Sequence, residues 1–249
     1  MKETSIKWPD NEERKKIAAR IWAKYKWPNC IAIADGTLFP LTYAPQSVDA
    51  PDYNGRKHPY SLTCMIVNDD QKRIRYYLSG FPGCAHDNRV YANTPLAKQP
   101  DNYFEDKYYL LADSAIQNSP SVVSSFKAPK GHDLESDLVK FNTHLGKVRV
   151  SSEHTIGILK GRFPWLRSIP MVISDNAKSL KNVLRHIDCC MILHNLLMDL
   201  NDKPPEYYKS DDSDTDGGYD SDLDSPIHPG AAKDERRQKL LHYFKEYVF

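Results

Sequence analysis

The stretches CIAIADGT (residues 30–37) and YYLLADS (residues 108–114) decide the fold. Each is a short apolar run that ends at an aspartate, Asp35 in the first and Asp113 in the second. Such runs, bounded by turn signals, predict buried strands. An acid that follows a buried run must be solvated, hydrogen-bonded or metal-bound, and functional groups gather at strand ends in open α/β sheets. Either aspartate, taken alone, is also typical of an ordinary turn.

The rest of the chain predicts a mixed α/β order around these two strands. Residues 60–67 and 73–79 are β-prone runs separated by NDDQK, a pattern that predicts a hairpin. Residues 117–135 are polar and predict irregular structure with at most a short helix. Apolar residues at helical spacing predict helices over residues 9–25, 86–96, 138–166, 176–200 and 231–247. Strands and helices do not alternate strictly, so the expected fold class is α/β without a regular βαβ repeat.

The charges are segregated although the net charge is only +1. Residues 140–186 carry nine Lys or Arg and two acids, whereas residues 201–224 carry nine acids and two lysines. The basic stretch either contacts nucleic acid or is a solvated helix face. The acidic stretch lies in residues 201–230, which hold too few apolar residues to fold, so we expect disorder there. This segment either competes with DNA for the basic residues or serves as a solubilising linker.

Composition excludes several classes of protein. Hydrophobic residues make up 40% of the chain, enough for a sizeable core. The cysteines number five and follow no secretory segment, so we expect a reduced, intracellular compartment. No apolar run approaches the roughly 18 residues of a membrane span, so we expect no membrane partner. Cys84 with His86, and Cys189-Cys190 with His194, lack the paired spacing of a structural zinc site.

A third acid, Glu153, lies in RVSSEHTIGILKGRFPWL (residues 149–166). On a helix it would stand at the border of the apolar stripe, where its carboxylate can point toward the sheet. Three carboxylates brought together repel one another unless a cation neutralises them. Hard oxygen ligands without clustered thiolates favour Mg²⁺ or Mn²⁺ over zinc. We therefore predict that Asp35, Asp113 and Glu153 form a cation site.

Six stretches, taken in order, resemble one protein family. They are WPNCIAIADGT (27–37), YNGRKHPYSLTCMIVND (53–69), FPGCAHDNRVY (81–91), LLADSAI (110–116), RVSSEHTIGILKGRFPWL (149–166) and MILHNLL (191–197). Together they resemble the DDE endonuclease domain of PIF/Harbinger-type transposases, a group that includes the domesticated Harbinger-derived nuclease of animals. The resemblance covers roughly residues 27–200.

The resemblance implies an RNase H-like fold, a mixed sheet flanked by helices. It implies that Asp35, Asp113 and Glu153 are the catalytic, metal-binding DDE triad. Asp87, in the FPGCAHD piece, is either an accessory acid or a cap at the start of a helix. The predicted divisions are an N-terminal helix over residues 1–26 as a remnant of a preceding helical region, the endonuclease domain over 27–200, the acidic linker over 201–230 and a C-terminal helix over 231–249. That last helix has an apolar side that would dock on the core or on a partner.

The implied activity is cleavage and joining of phosphodiester bonds at transposon ends with two divalent ions, Mg²⁺ or Mn²⁺. The residues expected to contact double-stranded DNA are Arg149, Lys160, Arg162, Arg56 and Lys57. The family typically works with a separate Myb-like DNA-binding protein, so we expect such a partner, a nuclear location and a possible oligomer. KDERRQK (residues 233–239) is either an import signal or a helix surface. The alternative function is a domesticated DNA-binding or chromatin-associated protein that does not cleave.

Overall fold

A mixed five-stranded sheet forms the centre of the protein. The structure, a computed structural model, describes residues 5–55, 60–129, 131–202 and 231–249. The strands are β1 (Cys30–Pro40), β2 (Ser61–Asn68), β3 (Ile74–Pro82), β4 (Tyr109–Ala112) and β5 (Val122–Ser124). Their order across the sheet is β3-β2-β1-β4-β5. β1, β2 and β3 pair antiparallel, whereas β4 and β5 run parallel to β1, which is the predicted RNase H-like class of mixed sheet.

Helices cover both faces of the sheet. They are α1 (Asn11–Tyr25), α2 (Asp87–Ala92), α3 (Pro95–Lys98), α4 (Asp101–Phe104), α5 (Ser136–Arg162), α6 (Ala177–Asp199) and α7 (Ala231–Tyr247), with short 3-10 helices at Ala50–Tyr53 and Pro164–Arg167. Asp10 caps α1, because its side chain accepts a hydrogen bond from the Glu13 N–H at 2.9 Å. No helix in the described ranges is long and apolar enough to cross a membrane.

Two hydrophobic clusters hold the helices to the sheet. The first packs α1, the start of α5 and α7 around β1, β4 and β5, with Ile17 and Ile21 of α1 fully buried. The second packs the end of α5 and most of α6 around β2 and β3, with Leu159 and Ile187 at its centre. Helix α5 belongs to both clusters because its 27 residues run from one to the other.

Helix α7 docks on the core of the same chain. Phe244 is fully buried, and its ring centroid lies 4.6 Å from that of Trp27 and 5.8 Å from that of Phe141. Lys245 also pairs with Asp137 of α5 at 2.9 Å. Of the two predicted alternatives for the apolar side of this helix, the structure shows docking on the core.

Three sequence predictions differ from the structure. β1 does not stop at Asp35-Gly36 but continues to Pro40, because β2 pairs with it along this whole length. β3 likewise continues beyond the predicted run of residues 73–79 and ends at Pro82. Residues 117–135 contain β5, a three-residue strand that the sequence analysis missed because so short a run shows no periodicity. The predicted disorder falls on residues 201–230, of which 203–230 lie outside the described residues.

Candidate active site

The sheet topology brings Asp35 and Asp113 side by side. β1 and β4 are parallel neighbours, and their last paired residues are Ala34 and Ala112. Asp35 follows Ala34 within β1, and Asp113 directly follows Ala112 at the end of β4. Neighbouring strands lie about 4.8 Å apart. Asp35 is therefore inside a strand, not at its end, but it stands where the parallel ladder with β4 stops.

Arg149 of α5 bridges these two aspartates. One guanidinium nitrogen donates to Oδ1 of Asp113 at 3.2 Å, and the other donates to Oδ1 of Asp35 at 3.4 Å. Asp35 Oδ1 also accepts the Gly36 backbone N–H at 3.1 Å. The side chains of Arg149 and Asp35 are only 18% and 15% exposed, so the pair is largely removed from solvent. Arg149 was predicted to contact DNA phosphates, and the structure puts its guanidinium among the predicted metal ligands.

The Asp87 carboxylate packs against Gly36, the residue that follows Asp35. A Cβ atom placed on Gly36 would lie only 2.1 Å from Oδ1 of Asp87, so the carboxylate occupies the space a side chain would need. Asp87 is the first residue of α2, and the residue at the cap position is His86. Asp87 thus lies in the first turn of α2, one residue after the cap position, and its carboxylate lies next to Asp35.

Glu153 stands one helical turn after Arg149 and is half-buried. Its charge acts on Asp35 together with those of Asp87 and Asp113. Burial raises the pKa of Asp35 to about 7, Arg149 opposes this shift, and the three other carboxylates add to it. The charges of the three other acids therefore act on Asp35. The one guanidinium, that of Arg149, does not offset the free energy that burying the charged Asp35 side chain costs.

The donor set fits a hard divalent cation in type. The side chains available to ligate an ion at this site are carboxylates, which suit Mg²⁺ or Mn²⁺. As the side chains lie, no three His, Cys, Asp or Glu residues within the described ranges are close enough to ligate one ion. In this arrangement the Arg149 guanidinium takes the position between Asp35 and Asp113. A bound ion would require that side chain to withdraw and the carboxylates to converge.

The other predicted DNA-binding residues do not gather at this site. Lys160 is only 8% exposed, because it lies where the end of α5 enters the second hydrophobic cluster. The Arg162 side chain is 4% exposed, and its Nη2 donates to the Asp202 backbone oxygen at 2.6 Å and to its carboxylate at 3.1 Å. Direct phosphate contact by these two residues does not fit their burial. Arg56 and Lys57 lie outside the described residues.

Exposed basic residues were missed on the same helix and on α6. Lys147 and His154 are exposed on α5, on a face of the helix that is turned away from Arg149 and Glu153. Further exposed basic residues are Lys178, Lys181 and Arg185 on α6. Helical spacing from the buried Leu145, Val148 and Ser152 would have separated Lys147 and His154 from the buried face.

Comparison with known proteins identifies the family of this domain. A family model described as DDE superfamily endonuclease matches residues 34–195, a span that contains Asp35, Asp87, Asp113, Arg149 and Glu153. No curated protein and no solved structure matches the chain. Because the match covers well over half of the 249 residues, the chain belongs to the DDE superfamily endonuclease family.

Proposed function

We propose that this endonuclease domain cleaves phosphodiester bonds in double-stranded DNA with divalent ions held by Asp35, Asp113 and Glu153. The observation that supports this most is the meeting of aspartates from two adjacent parallel strands at one guanidinium, with two further acids acting on Asp35. A buried acid that lies among other acids and has a raised pKa, as Asp35 does, is typical of functional sites. The retained set of acids does not favour the non-cleaving alternative.

The residues of the chain divide into two roles. Asp35, Asp113 and Glu153 would supply carboxylate oxygens to the ions, and Asp87 would add a fourth acid beside Asp35. When bound, the ions would activate a nucleophile and stabilise the leaving oxygen. Arg149, released from the aspartates, carries a planar guanidinium whose N–H groups suit the oxygens of a scissile phosphate.

The substrate and partners follow from the family resemblance. We infer that the DNA is a transposon end, that a second step joins a DNA 3′-hydroxyl to a target strand, and that a Myb-like protein supplies sequence recognition in the nucleus. Lys147 and His154, exposed together on one face of α5, are suited to contact the DNA backbone, which positions DNA without reading its sequence.

The test is nicking of supercoiled plasmid in Mn²⁺ by three variants, Asp35→Asn, Asp113→Asn and Glu153→Gln. Each removes a metal-binding charge but keeps the shape of the side chain, so nicking should be lost while folding and DNA binding remain. Asp137→Asn is the matched control, since Asp137 is on α5 but pairs only with Lys140 and Lys245. Nicking by Asp35→Asn at the wild-type rate would show that the triad is assigned wrongly.

A further inference from the structure

The loop between β4 and β5, residues 113–121, carries Asp113 at its first position. The Ile116 N–H donates to the Asp113 backbone oxygen at 3.0 Å, and the Ile116 side chain is buried in the core. These two contacts hold the backbone of the loop at Ile116. They do not hold the residues that follow.

A cavity of about 440 Å³ lies beside the remainder of this loop. Gln117, Asn118, Ser119 and Ser121 line one side of it, and Arg236 of α7 lines another. Close packing normally fixes a buried segment, but a cavity offers no such support. Hydrogen bonds must therefore supply much of what holds this part of the loop.

The first such bond ties the loop to α2. The Asn88 side-chain oxygen accepts the Gln117 backbone N–H at 2.9 Å. Asn88 directly follows Asp87, whose carboxylate packs on Gly36 beside Asp35. One side chain thus links the loop of Asp113 to the helix of the fourth acid.

The second bond ties the loop to α7. Asn118 is buried, its side-chain oxygen accepts the Ser124 N–H at 3.4 Å, and its amide nitrogen donates to Oδ1 of Asp234 at 3.2 Å. Asp234 is held in turn by Arg237, whose Nε donates to the same oxygen at 2.7 Å. The Arg237 guanidinium lies 4.0 Å from the ring centroid of Phe126, so the acceptor is fixed to a docked helix.

We propose that Asn88 and Asp234 are positioning residues that set the place of Asp113 in the metal site. This rests on the proposed function, because it assumes that Asp113 binds an ion. The C-terminal helix then belongs to the active-site architecture although it lies about 120 residues after Asp113 in the sequence. Ordering the loop in advance lowers the cost of placing the carboxylate on an ion.

The test measures Mn²⁺ binding by titration calorimetry, and hydrogen exchange of residues 113–121, in the full chain. A hydrogen bond changes an equilibrium by about two- to tenfold. Asp234→Ala should therefore raise the Kd for Mn²⁺ and speed exchange of the loop by about that factor, while kcat at saturating Mn²⁺ changes little. Asp234→Asn keeps an oxygen acceptor and should restore both values toward wild type. Glu235→Ala is the matched control, because Glu235 is exposed and its ion pair is with Lys239 of the same helix.

Asn88→Ala tests the same proposal independently should Asp234→Ala fold poorly. It should speed exchange at Gln117, whereas Asn93→Ala should not, because Asn93 is exposed at the other end of α2 and its side chain bonds to Arg89 and Lys98. Exchange and Kd values equal to those of the controls would overturn the positioning roles. Failure of the wild-type protein to bind Mn²⁺ or to nick DNA would instead overturn the proposed function itself.

Discussion

Replacing Gly36 by alanine should displace Asp87 without unfolding the protein. The added Cβ would lie 2.1 Å from Oδ1 and 2.4 Å from Cγ of Asp87, whereas ordinary contacts begin at 3.4 Å. The carboxylate must therefore retreat by more than about 1 Å, and a shift of that size can cost about 100-fold in rate. Asp87 lies at the start of a short helix, so its side chain can move while the strand pairing of β1 stays intact.

The assay is plasmid nicking in Mn²⁺, with thermal unfolding measured in parallel. Gly36→Ala should nick at about one tenth to one hundredth of the wild-type rate and unfold within a few degrees of wild type. Gly146→Ala, on the helix of Arg149, is the matched control, because open space surrounds that position and an alanine there should stabilise the helix by about 0.5–1 kcal/mol.

A double-mutant cycle separates the role of Asp87 from general damage to β1. In an Asp87→Ala background the added methyl group meets no carboxylate, so Gly36→Ala should cause little further loss of nicking. Wild-type nicking by Gly36→Ala would refute the argument, since the position of Asp87 would then not matter. A full additional loss in the Asp87→Ala background would show that the methyl group acts on something else.

Two further predictions concern DNA binding and stability. Lys147→Ala should weaken binding to all DNA sequences alike and reduce the slope of log K against log salt by about 0.9, whereas Lys160→Met should leave the slope unchanged and lower the thermal midpoint, because Lys160 is buried. An unchanged slope for Lys147→Ala would remove that residue from the DNA surface. Burial holds the pKa of His194 at about 4, below its ordinary 6.5, so the unfolded chain binds the extra proton and stability falls as the pH drops through this window. The loss between about pH 7 and about pH 5 is about 2 kcal/mol, and His194→Gln should abolish it in denaturant unfolding curves. An equal loss in that variant would assign it to other groups.

The sequence was sufficient to place the two aspartates because buried strands leave a strong local signal. Apolar runs ending at Asp35 and Asp113 predicted strands, and the parallel pairing of β1 with β4 makes them neighbours. The helix carrying Glu153 was likewise a local pattern, and the structure contains it. Each of these features depends on residues within a few positions of one another.

Features that depend on distant contacts were not predictable in this way. Asp35-Gly36 is a turn signal locally, but pairing with β2 extends the strand through it. A count of basic residues does not tell which side of a long helix faces the core, so Lys160 and Arg162 were taken for surface residues. Arg149 was counted with them, although its geometry assigns it to the aspartates.

The protein contains its own reference for what a purely structural buried acid looks like. Asp69, at the β2–β3 turn, is fully buried, and its two oxygens accept bonds from the Gln71 N–H at 2.9 Å, the Arg73 N–H at 3.1 Å and the Arg75 guanidinium at 2.9 Å. Burial raises the pKa of Asp69 as well, but the groups that oppose the shift are donors that satisfy its carboxylate directly.

The hydrogen bonds and charges around Asp35 differ from those around Asp69. It has one backbone donor and a guanidinium at 3.4 Å that it shares with Asp113, and three other carboxylates raise its pKa further. If the site served stability alone, replacing one of these acids would raise the free energy of unfolding, because like charges at close range destabilise the folded state. The excess of negative charge is useful only where a cation arrives to neutralise it. This contrast with Asp69 is the electrostatic argument for the proposal that the four acids bind metal.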